Sequence, residues 1–93
     1  DNRRSGKFFV IYEGERLAIG RDPEMADITL MDPAVSRKHC LISKEGGVIT
    51  IEDLGSSNGT YINEDKITSA ELEPGMCVRI GATRVFMSLA ARA

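Results

Sequence analysis

An all-β domain is the fold class this sequence predicts, and three observations predict it. Short apolar runs recur about every 8–12 residues, the spacing of a sandwich or barrel. Gly, Pro, Asn and Asp fill the gaps between them. No segment holds a 3.6-residue apolar period except Leu89-Ala90-Ala91-Arg92, which is expected to be a frayed tail.

Taken in order, Phe8-Phe9-Val10-Ile11-Tyr12 reads as a first strand that breaks at Glu13-Gly14-Glu15. Leu17-Ala18-Ile19 follows and stops at Gly20-Arg21-Asp22-Pro23. Ile28-Thr29-Leu30 is short and ends before Asp32-Pro33. Cys40-Leu41-Ile42 breaks at Glu45-Gly46-Gly47. Ile49 and Ile51 alternate with Val48 and Thr50, which puts the two isoleucines on one face. Tyr61-Ile62 meets a turn at Asn63-Glu64-Asp65. Residues 76–80 end at Gly81-Ala82, and residues 84–89 close the domain.

One segment carries a competing signal. Asp32 suits a helix cap and Pro33 a first helical position, so a helix over residues 33–42 competes with a strand approach. Val35, Cys40 and Leu41 alone give that helix an apolar face, at a spacing that fits 3.6 poorly. A single turn at residues 33–36 is the expectation.

Composition sets the limits on function. Ninety-three residues make one domain, and a domain of this size buries roughly 60–68% of its unfolded surface. A functional site is therefore expected on loops and not in a deep cavity. Hydrophobic content of 42% and charged content of 28% are those of a soluble domain. No apolar run approaches the ~20 residues of a membrane span. Asp1-Asn2-Arg3-Arg4-Ser5-Gly6 has no apolar stretch behind it long enough for a signal peptide. The reading is a cytoplasmic domain of residues 1–93, core about 8–88, cut from a larger protein, with no direct membrane contact. A net charge of −2 argues against nucleic acid as a partner. Cys40 and Cys77 sit in apolar runs and read as buried, reduced thiols. One histidine and no CxxC spacing argue against zinc, and no cofactor is expected.

Two polar clusters stand out against this background: Ser36-Arg37-Lys38-His39 and Ser57-Asn58-Gly59-Thr60. Hydroxyls, guanidinium, amide and free turn N–H groups suit a phosphate. Gly20-Arg21 adds a planar fork of donors at a strand end. Taken alone, Gly20-Arg21 and Ser36-Arg37-Lys38 are better accounted for by turn chemistry with solvated cations. Ser36 is expected to offer both its hydroxyl and a backbone N–H outside any ladder. His39 and Cys40, as strand neighbours, point to opposite faces, which argues against a catalytic pair. Ser36 and His39 can meet across a turn, but a hydrolase also needs an orienting carboxylate and an oxyanion hole. His39 is expected to be a hydrogen-bonding residue that fixes the Ser36 loop. There is no Walker loop, GxGxxG or EF-hand loop, and Asn58-Gly59-Thr60 matters as a glycosylation sequon only in a secreted protein.

In order and spacing, Gly20-Arg21, Ser36-Arg37-x-His39, Ser57-Asn58-Gly59-Thr60 and Asn63 resemble the forkhead-associated (FHA) domain, over roughly residues 8–88. The resemblance implies an FHA-like β-sandwich of about eleven short strands, with phosphothreonine peptides bound by loops at one end. It implies that Arg21, Ser36, Arg37 and Ser57 hold the phosphate and that Asn58 grips the peptide backbone. Gly20, His39, Gly59, Thr60 and Asn63 match positions that shape the loops. The resemblance also implies the preference for phosphothreonine over phosphoserine. Residues 32–35 and 61–66 are expected to read the peptide three positions after the phosphothreonine.

The function expected is a phosphothreonine-dependent peptide- or protein-binding module, not an enzyme, acting downstream of a Ser/Thr kinase. A constitutive assembly domain indifferent to phosphate is the alternative. It would use Met25, Met31 or Met87 as an exposed face, although core filling is the role expected of them. An esterase or phosphatase built on Ser36 and His39 is the third reading.

Overall fold

A computed structural model describes residues 8–88. Nine strands are present among them: β1 Arg16–Gly20, β2 Ile28–Thr29, β3 Cys40–Glu45, β4 Val48–Asp53, β5 Thr60–Ile62, β6 Asp65–Ile67, β7 Ser69–Leu72, β8 Cys77–Ile80 and β9 Thr83–Phe86. The all-β class stands, with nine described strands where the family resemblance implied about eleven. The tail expected at residues 89–92 lies outside the described residues.

The strands form a five-stranded sheet in the order β2-β1-β3-β4-β7 and a four-stranded sheet in the order β6-β5-β8-β9. β1 and β2 run parallel. The other pairs are antiparallel. Alternation puts Ile19, Ile42 and Ile51 of the first sheet and Ile62, Val78 and Ile80 of the second into one shared core. Val35, Ile28 and Leu72 complete it.

Register decides where the loops go. Ile19 stands opposite Cys40, and Cys40 stands opposite Asp53. The chain therefore leaves β1, enters β3 and leaves β4 at one end of the sheet. β5 starts at Thr60, opposite Ile80 at the end of β8, and brings the second sheet to the same pole. Four connections meet there: residues 21–27, 30–39, 54–59 and 81–82.

Some sequence expectations need correction. Residues 8–12 form no strand ladder among the described residues: β1 pairs with β2 and β3, and none of the sheet's pairings includes them. Their alternation survives: Phe9 and Ile11 pack on the core while Phe8 and Tyr12 are exposed. β6 and β7 escape a search for apolar runs because they are mostly polar. β7 joins the sheet through Ala70 opposite Ile51 and Leu72 opposite Ile49. Residues 33–35 form a turn and not a helix: the Val35 N–H donates to Asp32 O at 3.0 Å. Met87 packs on the core, but Met25 and Met31 are exposed, Met31 by 88%. Met31 points outward because its neighbour Asp32 is the residue turned inward. Cys40 is fully buried, whereas Cys77 is only partly so, since Val78 and Ile80 hold the inner face of β8.

Candidate functional site

Gly20 is the point on which the loops close. A Cβ at this position would lie 2.1 Å from the Arg37 carbonyl oxygen and 2.7 Å from its carbon. The Arg37 backbone therefore crosses directly over Gly20, and only glycine permits that approach. The crossing is held by Arg21 N–H to Ser36 O at 3.0 Å and Asp22 N–H to Arg37 O at 3.2 Å.

Arg21 is oriented by its own side chain as well. Its Nε donates to Val35 O at 2.9 Å. Val35 is itself fully buried, so this anchor is firm. The guanidinium plane is fixed at its inner end, and its outer Nη groups have no partner among the described residues. Arg37 and Lys38, both exposed, likewise have no described carboxylate beside them.

Ser36 departs from expectation in one respect. Its backbone N–H is not free, because it donates to His39 Nδ1 at 3.0 Å. Its Oγ accepts the Ser57 N–H at 3.0 Å, which ties the two polar clusters together. That leaves the Ser36 hydroxyl hydrogen to donate outward.

His39 is completely buried, and its Nε2 lies 2.9 Å from Gly59 O. A carbonyl only accepts, so Nε2 carries the proton and Nδ1 is the acceptor. Both nitrogens are engaged with backbone, and neither meets the Ser36 hydroxyl. Cys40, its neighbour, has its thiol pushed up to about 12 by burial and then by the charge of Asp53. Such a thiol is not a nucleophile at neutral pH.

The third loop is shaped from within. Asp53 Oδ2 accepts the N–H groups of Gly55 at 3.0 Å and Ser56 at 3.1 Å. Its Oδ1 accepts the Ser56 hydroxyl at 2.6 Å and the Thr60 hydroxyl at 2.8 Å. Burial alone would raise the Asp53 pKa. The Ser56 and Thr60 hydroxyls and the Ser56 and Gly55 N–H groups more than offset that, so the carboxyl sits below its ordinary range. Ser56 Oγ takes the Gly59 N–H at 2.9 Å, and Gly59 has φ +86°, the left-handed region. Asn58 is exposed and its Nδ2 donates to Ala34 O at 2.8 Å, leaving Oδ1 open. Asn63 does not reach this cluster. It lies beyond Ile62 with φ 49°, bonded through its N–H and its Oδ1 to the backbone of Cys77.

Asp32 and Asp53 are the residues that a search for phosphate ligands passes over. Asp32 Oδ1 accepts the Ala34 N–H at 2.9 Å, while Oδ2 takes the Ala82 N–H and the Thr83 hydroxyl, each at 2.8 Å. The Ala34 N–H first, then the Thr83 hydroxyl, hold its carboxyl below the usual range. Asp32-Pro33-Ala34 and Asp53-Leu54-Gly55 are both Asp-led turns, which is the signal that marks them.

These elements surround an open cleft of about 520 Å³ lined by Arg21, Met25, Ser36, Arg37, Lys38, Leu54 and Ser57. Three cations and two hydroxyls in one hollow are donors of the kind that suits an anion. Among the described residues, no group of three His, Cys, Asp or Glu side chains is placed to hold a metal.

Comparison with known proteins gives the family. The family model of the FHA domain matches residues 17–81. The chain belongs to the FHA family. It is 46% identical over 66 residues to the glycogen accumulation regulator GarA of Mycolicibacterium smegmatis, covering 71% of this chain and 41% of that protein. Its structure is similar to the FHA domain of the CT664 protein from Chlamydia trachomatis, with TM-score 0.85 and 34% identity over 89% of this chain and 84% of that one. It is also similar to an FHA domain studied for phosphothreonine-dependent interactions, with TM-score 0.84 and 32% identity over 95% of this chain and 90% of that one. The chain thus spans less than half the length of GarA. FHA domains are binding modules, and four of the connections of this one meet at the pole that carries the cleft.

Proposed function

We propose that this FHA domain binds phosphothreonine-containing peptides through the cleft between Arg21, Ser36 and Ser57. The observation that carries the reading is the state of Arg21: it lines the cleft, its Nε is bonded to Val35 O, and its outer donors have no partner among the described residues. Phosphothreonine brings a charge of about −1.5 to −2 and three acceptor oxygens. Arg21 supplies ion-pair hydrogen bonds, and the Ser36 and Ser57 hydroxyls donate charge-assisted ones to the anionic oxygens. Arg37 adds charge at the rim. Asn58, steadied by Ala34 O, keeps Oδ1 for the N–H of an extended peptide.

Two or three charge-assisted bonds at about 1.5–3 kcal/mol each, together with contacts along a short extended peptide that offset its ordering, correspond to micromolar affinity, about −8 kcal/mol. The module carries no catalysis in this reading: His39 has both nitrogens committed and the Cys40 thiol stays protonated. It acts after a Ser/Thr kinase has marked the partner, as a part of a longer cytoplasmic protein. No helix of the described residues is long and apolar enough to cross a membrane.

Capture on an array of degenerate phosphothreonine peptides, repeated after phosphatase treatment, tests the proposal. Binding that disappears with the phosphate supports it. Binding that survives the phosphatase points to the constitutive assembly reading instead.

A further inference from the structure

Gly59 separates Asn58 from the second sheet, and it is held from two sides. On the inside its carbonyl meets His39 Nε2 at 2.9 Å and its N–H donates to Ser56 Oγ at 2.9 Å. On the outside it meets Tyr61. Thr60 and Ile62 are buried, so Tyr61 between them points to the outer face of β5. A Cβ at Gly59 would lie 3.2 Å from Tyr61 Cε1 and 3.1 Å from Lys66 Cε. The hydroxyl end of the ring and the lysine stem therefore close over the Gly59 backbone. The ring is itself pinned. Tyr61 stands opposite Lys66 on β6 and Arg79 on β8, and the Arg79 guanidinium lies 4.1 Å from the ring centroid. Arg79 is fixed there by Gly81 O and by Glu64, each at 3.2 Å, and the Glu64 carboxylate also takes Arg84 at 3.1 Å.

A half-buried tyrosine on a sheet face ordinarily does no more than pack. Glu64 sets this one apart. Asn63 and Glu64 form the two-residue turn between β5 and β6, at φ 49° and 70°. The second residue of such a turn is ordinarily Gly, and a glutamate there carries backbone strain, which points to a use for its side chain. We infer that Tyr61 is a positioning residue for Asn58: Glu64 holds Arg79 on its ring, the ring covers Gly59, and Gly59 thereby keeps the Asn58 amide on Ala34 O, where Oδ1 is open to the peptide backbone. This rests on the phosphothreonine reading and deepens it. Asn58 is exposed, and the bond to Ala34 O is its side chain's one tie among the described residues. An amide so lightly held takes its direction from the backbone, and Gly59, with no Cβ and φ +86°, gives that backbone room to turn. The Tyr61 ring supplies the wall that the glycine lacks.

The test titrates matched phosphothreonine and threonine peptides by fluorescence anisotropy on wild type, Tyr61→Leu, Tyr61→Phe, Asn58→Ala and the double variant Asn58→Ala/Tyr61→Leu. Tyr61→Leu should bind the phosphopeptide about three- to tenfold more weakly, the worth of one hydrogen bond to peptide backbone. Tyr61→Phe keeps the ring under Arg79 and should stay within about twofold of wild type. On the Asn58→Ala background Tyr61→Leu should cost less than about twofold more, because a residue that acts through Asn58 then has nothing to act on. In amide NMR spectra of Tyr61→Leu the Asn58 side-chain signals should move towards their freely solvated position while the Arg21 backbone signal stays. Glu64→Gly relieves the turn and releases Arg79, so it should melt no lower than wild type yet bind about two- to threefold more weakly, a split that a purely structural role does not give. Wild-type affinity in Tyr61→Leu, a loss that adds in full to that of Asn58→Ala, or unmoved Asn58 signals overturns the positioning role and leaves the phosphothreonine reading standing. Wild-type affinity in Glu64→Gly removes Glu64 from that role. A wild type that binds both peptides equally overturns the underlying reading and the role of Tyr61 with it.

Discussion

His39 Nδ1 accepts the backbone N–H of Ser36 at 3.0 Å, and that one bond fixes the role of both residues. It removes the imidazole from general-base chemistry on the Ser36 hydroxyl. It also sets the hydroxyl at the lip of the cleft, where Ser57 N–H meets it. Through Nε2 the same ring reaches Gly59 O, so a single buried side chain clasps the two loops that flank the cleft.

Replacing that ring should therefore cost stability before anything else. His39→Ala leaves the Ser36 N–H and the Gly59 carbonyl without their partner and opens a void. We expect a loss of about 2–4 kcal/mol. For a domain of this size that lowers the melting temperature by about 10–20 °C. Differential scanning calorimetry checks it. A shift of only a degree or two would mean that the clasp contributes little.

Gly20→Ala tests the crossing of the loops. Its methyl group would meet Arg37 backbone at 2.1 Å, and backbone cannot rotate away as a side chain can. The 36–38 segment must lift, which should weaken phosphopeptide binding at least about tenfold and destabilise the domain by about 1–3 kcal/mol. Unchanged affinity in a titration would show that the loop position is not coupled to binding.

Acid should loosen the same pole. The carboxyls of Asp32 and Asp53 both lie below their ordinary range when folded. An unfolded aspartate titrates near pH 3.9, so between that value and the lower folded ones the unfolded chain binds more protons. Their contribution is thus fully present above about pH 4–5 and is lost as pH falls through the folded pKa values. Melting temperatures taken from pH 7 to pH 2 should drop chiefly below pH 4, and Asp53→Asn should flatten part of that drop. A melting temperature as high at pH 2.5 as at pH 6 would contradict this.

Cys40 should be silent towards thiol reagents. Fully buried, with its thiol pushed up to about 12, it has almost no thiolate at pH 8. Mass spectrometry after iodoacetamide should find it unmodified in the folded domain and modified in denaturant. Rapid native labelling at Cys40 would show that the β3 end opens easily.

Much of this pole is legible in the sequence because its residues are unusual in kind. Gly20-Arg21, Ser36 and Asn58-Gly59 are turn and donor residues in a spacing that ordinary hairpins do not need. The β core is legible because Leu17-Ala18-Ile19 and Cys40-Leu41-Ile42 are short apolar runs between turn signals and Ile49 and Ile51 share one face of their strand. What stays hidden is long-range and polar. Nothing local announces that Asp32 reaches Ala82 and Thr83, fifty residues away, or that Asn58 spends an amide hydrogen on Ala34. β6 and β7 stay hidden because register with β5 and β4 makes them strands, more than their own apolar content does. The Ser36 N–H looked available because the partner that takes it is a ring three residues on, set by the fold of the turn.

The most direct test is a calorimetric titration of the domain with one peptide in matched phosphothreonine and threonine forms, on wild type and on Arg21→Ala. Wild type should bind the phosphorylated form in the micromolar range and the threonine form at least about a hundredfold more weakly, two charge-assisted bonds being lost. Arg21→Ala should bind the phosphorylated form at least about tenfold more weakly than wild type does. Equal affinity of wild type for the two peptides would contradict the account at its centre.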